Sequence, residues 1–278
     1  MPLVSFSIRV IGGHSLDPEN KNGVANLLTS IMMEGTQHKT PQQLENALGE
    51  IGAEISFTTS GEYITLTGST LAKNYHKAIG SAQEILLEPR WDESQWQRIK
   101  QETKGQIQQM NANPGTISEV EHISLADVKP YYQKNIVTNL TSIHVSGDVK
   151  QTDVIASLSA VKTKLRTSDI SLPAVKPLPV IEKAQLYFID IPGAKQSFLR
   201  IGNPAMVASS DDYYQAVAVN HNLGGGFSGQ LFQILLLQKG YTYGAYSGIS
   251  RENAGGLFTA RSSVRSNVTL ESLQTFRK

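Results

Sequence analysis

Residues 23–36 read Gly-Val-Ala-Asn-Leu-Leu-Thr-Ser-Ile-Met-Met-Glu-Gly-Thr. Val24, Leu27, Leu28 and Ile31 recur at i, i+3, i+4 and i+7, the spacing of one apolar helix face, so the stretch predicts a short helix laid on a core. Asn26, Thr29 and Ser30 stand between them, and Asn26 and Ser30 share a helix face one turn apart. That is the spacing of two metal ligands, occupied by an amide and a hydroxyl, which are poor ligands for zinc. A buried amphipathic helix whose only role is packing stands beside any functional reading.

The flanking elements follow from local pattern. Leu3 to Ile11 alternates, with Val4, Phe6, Ile8 and Val10 on one face, and Gly12-Gly13 ends it: a half-buried strand. Thr40 and Pro41 open a helix that Gly52 stops. Glu54–Thr59 and Tyr63–Gly68 read as a hairpin across Ser60-Gly61-Glu62. Helical periodicity covers Ala72 to Leu87, and Asp92 caps a longer helix to about Met110, ended by Asn113-Pro114. Another helix starts at Ser124, Leu140 to Val149 is a strand, and Gln151 to Leu165 is a helix. Arg166 to Ala184 holds Pro173, Pro177 and Pro179 without periodicity, an extended linker. Beyond it come strands at Gln185–Ile191 and Gln196–Ile201, then a helix opened by Ser210-Asp211-Asp212 and running through Val219. The strand, acidic loop and helix order of the N-terminus recurs there, a weak internal repeat. The expected division is a domain at 1–168, a linker at 169–184 and a second domain at 185–278.

The 278 residues carry 25 basic and 24 acidic side chains and no cysteine. Near-neutral charge without a run of one sign gives no footprint for nucleic acid or an anionic membrane surface. No stretch approaches ~18 consecutive apolar residues, so no membrane span is expected. Without cysteine there are no disulfides or thiolate metal sites, which fits either the periplasm, the preferred of the two, or the cytoplasm. The six histidines, at 14, 38, 76, 122, 144 and 221, share no ligand spacing.

A second stretch stands out at residues 223–245, Leu-Gly-Gly-Gly-Phe-Ser-Gly-Gln-Leu-Phe-Gln-Ile-Leu-Leu-Leu-Gln-Lys-Gly-Tyr-Thr-Tyr-Gly-Ala. Three glycines before a helix could cradle a phosphate, but no Gly-Lys-Ser/Thr ending and no dinucleotide spacing accompany them. Gly224 to Gly226 suit turn geometry and close packing.

The two stretches together resemble the insulinase (pitrilysin) family of zinc metallopeptidases. There the first has the form Gly-x-Ala-His-x-x-Glu-His-x-x-x-x-Gly-Thr, and Gly23, Ala25, Gly35 and Thr36 fall in register with it. The resemblance covers nearly the whole chain and implies an α+β fold of two related domains, each an antiparallel sheet with helices packed on it, facing across a cleft. It implies a zinc site whose histidines stand here as Asn26 and Ser30 and whose general base stands as Thr29. The third ligand, a glutamate eight residues before Pro114, stands as Gln106. An arginine and a tyrosine of the second motif, which hold the peptide and its oxyanion, stand as Leu236 and Tyr243. The segment after Pro114 is shorter than in the family, and the chain stops soon after Val268 where the family continues, so a fragment is expected.

With two imidazoles, a base and a carboxylate all replaced, no metal, no cofactor and no catalytic residue is expected. The remaining substrate-binding candidates are Tyr243, Gly224 and Gly225 of the second motif, with Ser56 and Thr58 of a strand that in the family pairs with an extended peptide. Cross-strand packing is an equal reading of Tyr243. The expected function is a non-catalytic subunit that pairs with an active, zinc-bearing homologue, or forms a homodimer, and helps bind extended peptides. The alternative is a stand-alone peptide-binding or structural module, and an active metalloendopeptidase is disfavoured by the residues.

Overall fold

The computed structural model describes residues 2–109, 120–167, 172, 181–252 and 255–277. The chain divides into two compact units, Met1–Pro173 and Ala174–Lys278. The Asn113-Pro114 pair and most of the expected linker lie outside the described residues.

The first unit is built on β1 (Leu3–Ile11), β2 (Glu54–Thr59), β3 (Tyr63–Leu71) and β4 (Thr141–Gly147), in the order β2-β3-β1-β4 with every pair antiparallel. Alternation decides its faces: Val4, Phe6, Ile8 and Val10 are buried with Ile55, Ile64 and Leu66 under the helices. Against that face lie α1 (Val24–Met32), α2 (Pro41–Glu50), α3 (Tyr75–Leu87), α4 (Glu93–Gln109) and α5 (Leu125–Asn135). Gly68 faces Phe6 across the β1–β3 pair, and a Cβ there would stand 2.1 Å from the ring. Thr40 and Gln43 form a reciprocal capping box on α2, and Ser124 and Asp127 form one on α5. Asp92 Oδ1 accepts from the Ser94 and Gln95 amides at 2.9 and 3.2 Å, the cap expected for α4; these bonds, with the Ser94 hydroxyl first, hold its carboxyl at about 2.

The expected helix over Gln151 to Leu165 is two, α6 (Gln151–Ser157) and α7 (Ser159–Lys164), broken at Leu158. Glu88 at the end of α3 meets His38 at 3.0 Å and Lys164 of α7 at 2.6 Å, so one carboxylate ties three segments together. The Lys164 hydrogen bond, opposed by desolvation and aided by the charges of Lys164 and His38, draws the Glu88 pKa below the usual 4.5.

The second unit holds β5 (Gln196–Ala205), β6 (Thr242–Ile249) and β7 (Gly256–Arg265), antiparallel in the order β5-β7-β6. Its helices are α8 (Tyr213–Gly224), α9 (Gln230–Phe232), which runs into a π-helical turn at Gln233–Gln238, and α10 (Thr269–Arg277). A small core gathers around Leu231, Leu235, Ala245 and Ala260. The strand expected at Gln185–Ile191 is not formed: the segment is irregular and exposed, because no described strand pairs with it. Its alternation satisfies a local pattern, but a strand needs a neighbour for its amides.

Candidate functional site

The motif helix α1 enters through a device that its own sequence does not announce. Asp17, in the preceding loop, accepts from the amides of Gly23 and Ala25 at 2.8 Å each, satisfying two donors that the first helical turn leaves unpaired. Gly23 sits at φ 107°, a left-handed conformation that a side chain disfavours. Tyr131 of α5 donates to the Gly13 carbonyl at 2.6 Å, and burial raises its pKa.

The helix leaves through an equally specific turn. Gly35 has φ 104°, and a Cβ there would stand 2.5 Å from the Lys39 carbonyl oxygen. Thr36 is fully buried; its hydroxyl donates to Glu84 and accepts from the Lys39 amide at 3.0 Å. Ala25 is buried beneath the helix layer. Each of the four frame positions, 23, 25, 35 and 36, therefore serves backbone geometry or packing.

Of the positions that stand for the zinc chemistry, Asn26 and Ser30 carry no such duty, while Thr29 is buried. Asn26 is exposed and Ser30 half-buried, and the Ser30 hydroxyl donates to the Asn26 carbonyl at 3.0 Å. Thr29 is buried; its hydroxyl donates to the same carbonyl at 2.9 Å and lies 3.3 Å from the Thr59 hydroxyl of β2. These are back-bonds of hydroxyls to their own helix. Helix α4, which carries Gln106, packs against α1, and Arg98 on it reaches Glu34 at 2.6 Å just past the end of α1. Gln106 itself is exposed.

Two amides and two hydroxyls do not fit a zinc ion, which takes imidazole, thiolate or carboxylate donors, and no step through a metal is derived. Among the described residues, no three His, Asp or Glu side chains are grouped to hold one.

Ser56 and Thr58 both project from the face of β2 opposite the helices, whereas Thr59 faces α1. The Ser56 hydroxyl lies 3.1 Å from that of Thr67, and a shallow cavity of about 450 Å³ on this open face is lined by Ser5, Ser7, Glu54, Ser56, Thr67 and His144. The structure thus separates Ser56 and Thr58 from the motif helix by the thickness of the sheet. What the two share is the β2 backbone, whose outer edge has no paired strand among the described residues.

In the second motif Gly224 closes α8 rather than beginning a helix. A Cβ on it would meet the Ser247 amide of β6 at 2.6 Å, and one on Gly225 would meet His221 Cα at the same distance, so both glycines permit close approach. Leu236 is half-buried in the π-helical turn. Tyr243 follows at an irregularity of the β6–β7 pairing between Thr242 and Ala245, where the Thr242 hydroxyl takes over bonds to the Ser263 carbonyl and the Gly244 amide. The irregularity leaves Tyr243 pointing outward at 92% exposure. Asp17 and this irregularity were invisible to pattern reading: both depend on where a loop or register slip carries the chain.

The fold and the site define a metallopeptidase-like scaffold: an α+β chain whose inverted zinc-motif frame is kept and whose metal donors are not. Residues 2–135 match the insulinase family (peptidase family M16) and residues 122–278 match the peptidase M16 inactive domain, so the chain belongs to that family. It is 22% identical to the "non-peptidase homolog YmxG" of Helicobacter pylori over 88% of its own length and 62% of that protein's, and so spans under two thirds of that relative. It is 18% identical to an "uncharacterized zinc protease YmxG" of Bacillus subtilis, covering 99% of this chain and 72% of the other. The solved peptidase M16 inactive domain from Pseudomonas fluorescens superposes with a TM-score of 0.87 at 21% identity, over 99% of this chain and 72% of that one, which shows the shared fold.

Proposed function

We propose that the chain is a non-catalytic member of its family that pairs with a zinc-bearing homologue and contributes to holding extended peptide. The observation that carries this reading is the division of labour in α1. All four frame positions have backbone or core roles, while the four chemical positions hold side chains that cannot bind zinc or serve as its base. A scaffold preserved without its chemistry is useful as a surface. The open edge of β2 offers unpaired backbone groups, and β-augmentation by a peptide needs no catalytic side chain. Taken by itself, the second unit offers exposed Tyr243 as a separate candidate contact, and Gly224 allows α8 close approach to Ser247 of the same strand.

The test is co-expression with a homologue carrying an intact His-x-x-Glu-His motif, followed by size-exclusion chromatography and cleavage of unfolded peptides. Co-elution and faster, chelator-sensitive turnover than the homologue shows alone are expected. Separate elution with unchanged turnover contradicts pairing. The open β2 edge would also serve a module that binds peptide without any peptidase, which that second result would favour.

A further inference from the structure

The strands of the second unit carry three charged side chains, and all three are arginines: Arg200 on β5, Arg261 and Arg265 on β7. None of its strands bears an aspartate or a glutamate. In sequence the three are scattered and leave no basic run, but strand pairing gathers them. Arg200 and Arg261 are direct cross-strand partners. Alternation sets both outward, away from the face on which Leu199, Ala260, Ser262 and Val264 are buried.

On this open face the β5–β7 pairs form a short ladder: Gln196 with Arg265, Phe198 with Ser263, and Arg200 with Arg261. Outward rungs recur at about 7 Å, so two cationic rungs about 14 Å apart flank a neutral one on which Phe198 is 67% exposed. Like charges directly opposite each other across a strand pair repel. No ion pair reaches Arg200 or Arg261 among the described residues, and Arg265 donates to the Gly240 carbonyl at 3.3 Å. Two neighbouring guanidiniums without a counter-charge destabilise the free sheet, and a carboxylate laid between them converts the repulsion into attraction, since each planar fork matches a carboxylate.

We propose that the open β5–β7 face binds an acidic polypeptide segment in extended form, with one carboxylate on the Arg200–Arg261 rung, an apolar side chain on Phe198 and a second carboxylate at Arg265. An extended chain presents alternate side chains on one side at the spacing of the rungs, so the recognised pattern is acid at i, apolar at i+2 and acid at i+4. Charge complementarity selects an anion, and the neutral rung selects its kind. A nucleic acid or polyphosphate carries charge on every unit and would set one against Phe198 and Ser263, where no cation stands. No residue of the proposed peptide site takes part, so the face stands apart from that reading.

The probe is a fluorescent synthetic peptide, Gly-Ser-Glu-Ser-Leu-Ser-Glu-Ser-Gly, added to the full chain and read by anisotropy at low and at high salt. Saturable binding that high salt weakens is expected, with a loss of affinity of about tenfold in Arg200→Gln and in Arg261→Gln. Urea unfolding of the free chain supplies a second readout. Each of the two variants should raise the midpoint, because it relieves the repulsion, whereas an arginine kept for structure would lower it. The rearranged peptide Gly-Ser-Glu-Glu-Ser-Ser-Leu-Ser-Gly, of the same composition, should bind more weakly. No saturable binding, unchanged affinity in both variants, a lowered midpoint in both, or equal binding of the rearranged peptide overturns the proposal. Single-stranded DNA or polyphosphate binding as tightly as the peptide also overturns it, in favour of a face for uniform polyanions.

Discussion

Gly35 and Ser30 lie five residues apart in the same motif and respond oppositely to substitution. A Cβ at Gly35 must displace the Lys39 carbonyl from a left-handed backbone, so Gly35→Ala should cost about 1–3 kcal/mol in urea unfolding. Ser30→Ala removes a hydroxyl that only back-bonds to its own helix and should stay within about 0.5 kcal/mol of the parent. Equal losses at the two positions would contradict the separation of frame from chemistry. Rebuilding the motif as Asn26→His, Thr29→Glu and Ser30→His should restore no peptidase activity, because Gln106 still lacks a carboxylate and Leu236 a guanidinium. A single missing oxyanion donor alone costs about 10²- to 10³-fold. Chelator-sensitive cleavage by the triple variant would refute this.

At the scale of elements, the β2 edge and the Glu88 clamp each make a prediction. Proline removes one backbone donor, and the amides of Ser56 and Thr59 point to opposite edges of β2 because their separation is odd. Of Ser56→Pro and Thr59→Pro, one should fold and abolish retention of unfolded peptides; if both fold and both retain peptide, the edge is not the site. Glu88 has a folded-state pKa below 4.5, so its contribution is complete above that value and is lost as pH falls through the lower folded value. Glu88→Gln should therefore flatten the decline of stability below about pH 4.5, with a cost near pH 7 of under about 1 kcal/mol because Lys164 is more than half exposed. An unchanged acid limb of the stability curve would show that the clamp is idle. Elements were legible wherever one residue's neighbours in sequence are its neighbours in space, as in the β1 alternation and the Thr40–Gln43 box. They were not where distant contacts decide: the break at Leu158, the π-helical turn under Leu236, and the unformed strand at 185–191 all depend on partners the local pattern does not contain.

For the whole molecule, the α+β class came with the family resemblance that the two motif frames carry, and those frames persist because their glycines and buried apolar positions are set by backbone and core. The placement of Ser56 and Thr58 across the sheet from α1 could not be read from spacing, since alternation says that they face away from Ile55 without saying where α1 packs. No described helix is long and apolar enough to cross a membrane. The central claim is that this scaffold holds no zinc chemistry at residues 26, 29, 30 and 106. Its most direct test is the zinc content of the purified chain after dialysis against metal-free buffer, together with cleavage of unfolded peptides with and without a chelator. The account predicts no stoichiometric zinc dependent on Asn26 or Gln106 and no chelator-sensitive turnover. One zinc per chain that Asn26→Ala or Gln106→Ala removes, with turnover lost alongside it, would contradict the account.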